Sequence, residues 1–206
     1  IYSTATNSWS VASLSEARYS PSNFVYSSPN PPTVGQKMFF AGGQYCWIQD
    51  CGWNRIDIYD AATNTWSYED YNPHFPGTYL FSGISAGNKN YWVTGDYWEG
   101  GNLVEIRDEI THTTSYECLS GVLYGHPVNN GNKLIFPVFS LPMSTLGYKP
   151  THLDVYDLAT NTWSISKLSS PVNYHLLISV NNEVYELGGF NVAGGFLYDK
   201  IYKLIF

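Results

Sequence analysis

The residues able to do chemistry in this chain are few and far apart. Three cysteines are present. Two of them stand in Cys46-Trp47-Ile48-Gln49-Asp50-Cys51, a spacing that a disulfide across a small loop can close. It is not the Cys-x-x-Cys of a dithiol redox centre, and no second Cys/His pair completes a zinc site. A Cys46–Cys51 disulfide is therefore expected, and with it an oxidising compartment. Cys118 is left over; a lone thiol of this kind is expected to be buried and inert. Among the five histidines, Tyr174-His175 opens an apolar stretch, whereas His74, His112, His126 and His152 stand in no recognisable ligand pattern. The sequence lacks His-x-His, His-Glu-x-x-His, Gly-x-Ser-x-Gly and a phosphate-binding loop. A glycosidase-like pair needs two carboxylates flanking one bond. Asp50, Asp96 and Glu99 are the only acids that stand outside a periodic pattern in segments rich in Trp and Tyr.

The other carboxylates lead to the elements that would position any site. Asp57, Asp60, Asp154 and Asp157 belong to an internal repeat. Ile58-Tyr59-Asp60-Ala61-Ala62-Thr63-Asn64-Thr65-Trp66-Ser67 returns as Val155-Tyr156-Asp157-Leu158-Ala159-Thr160-Asn161-Thr162-Trp163-Ser164. Ile1 to Ser10 is a third copy, and Ile106 to Ser115 a degenerate one with Thr114 in place of Trp. A second signal runs in phase with the first. It comprises Val34-Gly35-Gln36-Lys37 with Gly42-Gly43, Ala86-Gly87-Asn88-Lys89 with Gly95, Asn130-Gly131-Asn132-Lys133, and Val180-Asn181-Asn182-Glu183 with Gly188-Gly189. Both keep a period of about fifty residues, which marks a stacked-repeat architecture. Each unit reads as four short strands. They are an apolar strand such as Leu176–Val180, a second ending near Gly-Gly, an alternating third such as Leu153–Tyr156, and the Thr-Asn-Thr-Trp strand. Asp60 and Asp157 head the last turn, where a carboxylate satisfies backbone amides. No stretch keeps a capped 3.6-residue apolar period, so helix is expected to be nearly absent.

Composition narrows the function classes. The 206 residues carry 13 % charged and 17 % aromatic residues, far too apolar for disorder. Seventeen acids against ten bases give a net charge of −7, which opposes a nucleic-acid partner. No apolar run approaches the ~20 residues of a membrane helix, so no membrane span is expected. A low-charge surface of Ser, Thr, Asn, Gly and Tyr suits a secreted β protein, and the chain is expected to be extracellular.

The Gly-Gly after an apolar strand, followed by Tyr-Asp and Thr-Asn-Thr-Trp, resembles the signature of kelch repeats over nearly the whole chain. The resemblance implies an all-β propeller of four-stranded antiparallel blades, the first strand of each lining the central channel. The repeats run approximately 10–60, 61–107, 108–157 and 158–206, with residues 1–10 expected to complete the last blade. The ring is either a closed one of four blades, favoured because open ends would expose strand edges, or part of a larger propeller. Copper radical oxidases resembling galactose oxidase also use a kelch-type propeller, and Tyr174-His175 looks like that family's adjacent Tyr-His segment. No second histidine or crosslinked cysteine is marked, however, so no metal, no cofactor and no enzyme activity are expected.

In such a propeller the short turns fall on one face. The long, irregular connections Gln44–Asn54, Asp96–Asn102, Ser140–Thr151 and Phe190–Asp199, with Glu69–Thr78 between blades, fall on the other. Variable loops on a regular scaffold are where binding function concentrates. The candidate binding residues on that face are Tyr45, Trp47, Trp53, His74, Tyr97, Trp98, Glu99, Tyr148, Phe190 and Tyr198, with Tyr71, Phe75 and Phe196 beside them. Exposed Trp and Tyr serve protein hot spots or sugar stacking. The expected function is a non-catalytic module for a protein partner or self-association. A lectin-like glycan binder using Trp47, Trp53 and Trp98 is the first alternative, and a copper oxidase or hydrolase the second. The Cys46–Cys51 clamp would either hold Tyr45, Trp47 and Trp53 in one conformation or staple a surface hairpin.

Overall fold

The computed structural model describes residues 2–3, 6–17, 33–34, 37–41, 55–70, 79–96, 100–139, 152–168, 176–191, 196–197 and 199–206. Among them no helix occurs. The strands are β1 (Tyr2–Ser3), β2 (Ser8–Trp9), β3 (Thr33–Val34), β4 (Lys37–Ala41), β5 (Arg55–Asp60), β6 (Thr65–Asp70), β7 (Tyr79–Ala86), β8 (Lys89–Asp96), β9 (Gly100–Asp108) and β10 (Thr113–Cys118). They continue as β11 (Val122–Leu123), β12 (Val128–Asn129), β13 (Lys133–Phe139), β14 (His152–Asp157), β15 (Thr162–Lys167), β16 (Leu176–Val180), β17 (Glu183–Leu187), β18 (Phe190–Asn191), β19 (Phe196–Leu197) and β20 (Ile201–Leu204).

Four antiparallel sheets follow the repeats. Blade 1 is β3-β4-β5-β6, blade 2 is β7-β8-β9-β10, and blade 4 is β16-β17-β20. In blade 3 the innermost strand is broken into β11 and β12, which both pair with β13, followed by β14 and β15. The break falls at Tyr124–Pro127, where Gly125 has φ +111°. β1 pairs with β2, with Tyr2 opposite Trp9, as Tyr59 stands opposite Trp66 and Tyr156 opposite Trp163. Residues 1–10 were expected to extend the last sheet. Among the described residues β2 pairs with β1, and β20 pairs with β17.

The turn between third and fourth strands is built three times from the same parts. Asp60 Oδ1 accepts the amides of Ala62 and Thr63, Asp108 Oδ1 those of Ile110 and Thr111, and Asp157 Oδ1 those of Ala159 and Thr160. The turn then needs one residue at positive φ. Asn64, Asn161 and Asn7 supply it at +53°, +55° and +49°, and His112 supplies it at +55° in the degenerate copy. Asn tolerates this region better than most side chains. Its amide has a second use: Tyr59 and Tyr156 donate their phenol hydrogens to Asn64 and Asn161. This accounts for the pairing of Tyr and Asn five residues apart in the repeat.

Alternation along the strands gives each sheet two apolar faces, and the core lies between sheets. Phe39 and Ile56 of blade 1 meet Trp92 of blade 2. Tyr91, Val93, Val104 and Ile106 of blade 2 meet Leu134, Phe136, Val138 and Tyr156 of blade 3. Ile135, Leu153 and Val155 of blade 3 meet Leu177 and Val184 of blade 4. The repeat tryptophans close the outer side, Trp163 against Phe136 and Tyr156, and Trp66 against Phe40 and Tyr59.

Candidate functional site

Strand direction decides which connections share a face. The second strands end at Ala41, Asp96, Phe139 and Leu187, and the third strands begin at Arg55, Gly100, His152 and Ile201. The register pairs Ala41 with Ile56, Asp96 with Gly100, Val138 with His152 and Leu187 with Ile201. All four connections thus leave from the same end of their sheets, opposite the short turns headed by Asp60, Asp108 and Asp157. The last of them folds on itself as the β18–β19 hairpin, with Phe190 opposite Leu197, a pairing not anticipated from the sequence.

Most of the sequence-selected residues lie in these connections. Tyr45, Trp47, Trp53, Tyr71, His74, Phe75, Tyr97, Trp98, Glu99, Tyr148 and Tyr198 fall outside the described residues, as do Cys46, Cys51, Asp50, Tyr174 and His175. Phe190, Phe196 and Asp96 lie in described strands, but their side chains fall outside that description. Cys118 corrects an expectation: it is exposed at the end of β10, not buried. It belongs to the outer strand of its sheet, which among the described residues pairs only with β9, and every residue of that strand is exposed.

What the described residues bring together at the loop end is a set of side chains at the start of the third strands. His152 and Asp154 alternate on one face of β14, and both are buried. Ser120 reaches them from the connection between β10 and β11. Its amide donates to Asp154 Oδ2 at 2.6 Å, its hydroxyl donates to Asp154 Oδ1 at 2.6 Å, and its Oγ lies 2.6 Å from His152 Nε2. In a nucleophilic triad the carboxylate holds the far ring nitrogen of the histidine, away from the serine. Here Asp154 takes the serine itself, and its Oδ1 lies 3.7 Å from His152 Nε2, the nitrogen that faces Ser120. The three residue types match those of a triad; the order of contacts ties the incoming chain at Ser120 to β14.

The first blade supports that reading. Asp57, at the position of Asp154, accepts the amide of Ser15 at 2.8 Å from the segment that follows β2. Arg55, at the position of His152, donates to Glu16 at 2.7 Å and to Asp70 at 2.8 Å, and its guanidinium lies 4.2 Å from the centre of the Tyr68 ring. The Asp70 hydrogen bond is the main cause that raises the arginine's pKa. The clamp had a sequence signal that was missed. A Leu-Ser pair, Leu14-Ser15 and Leu119-Ser120, follows the outer strand at the same distance from Trp9 and Thr114, and Leu168-Ser169 repeats it after Trp163.

Other polar groups tie blades together. Arg107 of blade 2 lies 2.6 Å from Glu69 of blade 1. Burial opposes its charge, but Glu69, Glu109 and Glu105 outweigh that and raise its pKa. His126 lies in the irregular stretch between β11 and β12, with Nδ1 3.4 Å from the Ser82 hydroxyl; burial lowers its pKa. Burial raises that of Glu186 on β17. Among the described residues no three His, Cys, Asp or Glu side chains are grouped to hold a metal ion. Nor is any helix long and apolar enough to cross a membrane.

No family model matches the chain, and no curated protein matches it. Among solved structures it is similar to "Structure of YjhT", a kelch-repeat propeller protein, at 18% identity and a TM-score of 0.60. The similarity covers 98% of this chain and 71% of that one. Four face-to-face antiparallel sheets in phase with the sequence repeat, together with this likeness, make the fold a kelch-type β-propeller.

Proposed function

We propose that the protein is a non-catalytic binding module that engages a protein partner through its long-loop face in an extracellular setting. The observation that carries this reading is the common polarity of the second-to-third-strand connections. Four segments of unequal length and unrelated sequence leave one end of four regular sheets; Tyr45, Trp47 and Trp53 stand in the first and Tyr97 and Trp98 in the second, with Tyr148 in the third and Phe190, Phe196 and Tyr198 in the fourth. Aromatic side chains offer large contact area at low ordering cost, which suits a protein hot spot.

The polar residues beneath those loops support the reading in a second way. Asp154, Ser120, Asp57, Ser15, Arg55 and Glu16 are committed to fastening connections to blades, so this part of the framework has a structural task. The test is a photo-crosslinking amino acid at Trp98, used on cell-surface and secreted protein libraries in parallel with a glycan array. A specific protein adduct lost in a Trp47→Ala/Trp53→Ala variant supports the proposal. A selective glycan signal without a protein adduct replaces it with a lectin function.

A further inference from the structure

The turn between β12 and β13 holds the chain's single Asn-Gly pair, Asn130-Gly131. An asparagine side chain is open to attack by the amide nitrogen of the residue that follows it, and glycine, with no Cβ, hinders that attack least. The fold uses both residues. Gly131 has φ +92°, and a Cβ built on it would stand 2.9 Å from Asn182 Oδ1 in the turn between β16 and β17. Asn130 Oδ1 accepts the amides of Asn132 at 3.1 Å and Lys133 at 2.8 Å, so its side chain closes the turn.

The same turn keeps both reacting groups engaged. The Gly131 amide, which would be the nucleophile, donates to Asn129 Oδ1 at 2.7 Å. Asn129 is itself fixed by blade 2, because its Nδ2 donates to the Ser85 carbonyl at 2.8 Å. Attack therefore requires the Gly131 N–H to leave Asn129 and the Asn130 side chain to leave two amides. The related turns lack the susceptible pair. Asn88 is followed by Lys89, Asn181 by Asn182 and Asn182 by Glu183, each with a Cβ beside the attacking nitrogen.

We propose that Asn130 is a site of spontaneous deamidation and that Asn129 restrains the reaction in the folded protein. The Gly131 nitrogen bonds to Asn130 Cγ, its proton passes through water to the side-chain nitrogen, and that nitrogen leaves as ammonia. Water then opens the cyclic imide at either carbonyl, giving aspartate or isoaspartate. Both products add a negative charge to the turn, and isoaspartate also lengthens the main chain between β12 and β13. Asn129 stands opposite Leu134, which is fully buried between blades 2 and 3, so the lengthened turn works against that register.

Peptide mapping by mass spectrometry, after incubation in warm, mildly alkaline buffer, tests the proposal. Wild type is followed both folded and in guanidinium, beside folded Asn129→Ala and Asn129→Asp, with circular dichroism checking the fold of each variant. Deamidation is expected first at Asn130, slowly in the folded wild type and faster in guanidinium. Asn129→Ala is expected to react about fivefold faster than wild type, the factor for one hydrogen bond of ordinary strength. Asn129→Asp keeps an acceptor for the Gly131 amide while losing the donor to Ser85, and is expected to react at the wild-type rate. Equal rates for wild type folded and in guanidinium overturn the restraint, as does folded Asn129→Ala reacting no faster than wild type. Deamidation at Asn88, Asn181 or Asn182 ahead of Asn130 in guanidinium overturns the site.

Discussion

Asp154 holds Ser120 by two groups at once, taking its amide on one carboxylate oxygen and its hydroxyl on the other. Removing the hydroxyl with Ser120→Ala leaves the amide bond in place and is expected to cost about 1–2 kcal/mol. Asp154→Ala leaves donors stranded beside a buried position and is expected to cost about 3 kcal/mol or more, since the lost bonds were to a charge. Urea denaturation of the two variants measures the difference. Equal losses would mean that the backbone arm of the clamp carries no weight.

Asn161 serves its turn twice, through its φ of +55° and through the Tyr156 hydroxyl. Asn161→Gly keeps the conformation and loses the hydrogen bond, whereas Asn161→Ala loses both. The alanine variant is therefore expected to be the less stable by about 1 kcal/mol. His112 occupies the same conformation at a turn whose strand has Arg107 where the others have Tyr. His112→Asn is expected to stabilise by a few tenths of a kcal/mol up to about 1 kcal/mol, by conformation alone. Thermal melts of the three variants rank these effects.

Lys133 donates to Asp157 at 2.5 Å, and that bond, with the Thr160 and Ala159 amides, lowers the carboxyl to about 2. A depressed carboxylate contributes stability above its unfolded pKa of about 4 and loses it as pH falls through the folded value. Lys133→Met is therefore expected to be less stable than wild type at neutral pH, with the gap shrinking between about pH 4 and pH 2. Chemical denaturation across that range checks the trend. A gap that is constant with pH would show that the lysine acts through packing alone.

Glu186 gives the opposite sign, because burial raises its pKa. The folded state resists its ionisation, so the penalty is absent below the unfolded value of about 4.3 and present in full above the raised folded one. Glu186→Gln is expected to melt higher than wild type at neutral pH and with no advantage in acid. Melts at several pH values decide it; an advantage that persists below the unfolded value would contradict a charge effect.

The fold was legible because the repeat writes each blade from the same local parts. Asp60 and Asp157 were read as turn heads, and the structure extends that role to Asp108 in the copy that has lost its Trp. Cys118 was misread because its exposure depends on its being in an outermost strand, a tertiary fact that a lone thiol does not encode. The Ser120 clamp was missed because its partners lie 32 and 34 residues away and are united only when β14 is laid beside the incoming connection. The aromatic loops carry no repeat and no periodicity, so their types could be read and their arrangement could not.

The central claim is that recognition lives on the loop face while the turn face serves the scaffold. One binding comparison tests it most directly, using the partner recovered by crosslinking. A loop-face variant, Trp47→Ala/Trp53→Ala/Trp98→Ala, is set beside a turn-face variant, Thr63→Ala/Thr160→Ala, which removes two exposed hydroxyl pairs at the opposite end. The account predicts at least a tenfold loss of affinity for the first, about 1.4 kcal/mol, and wild-type affinity for the second. Undiminished binding by the loop-face variant, or a loss confined to the turn-face variant, would contradict it.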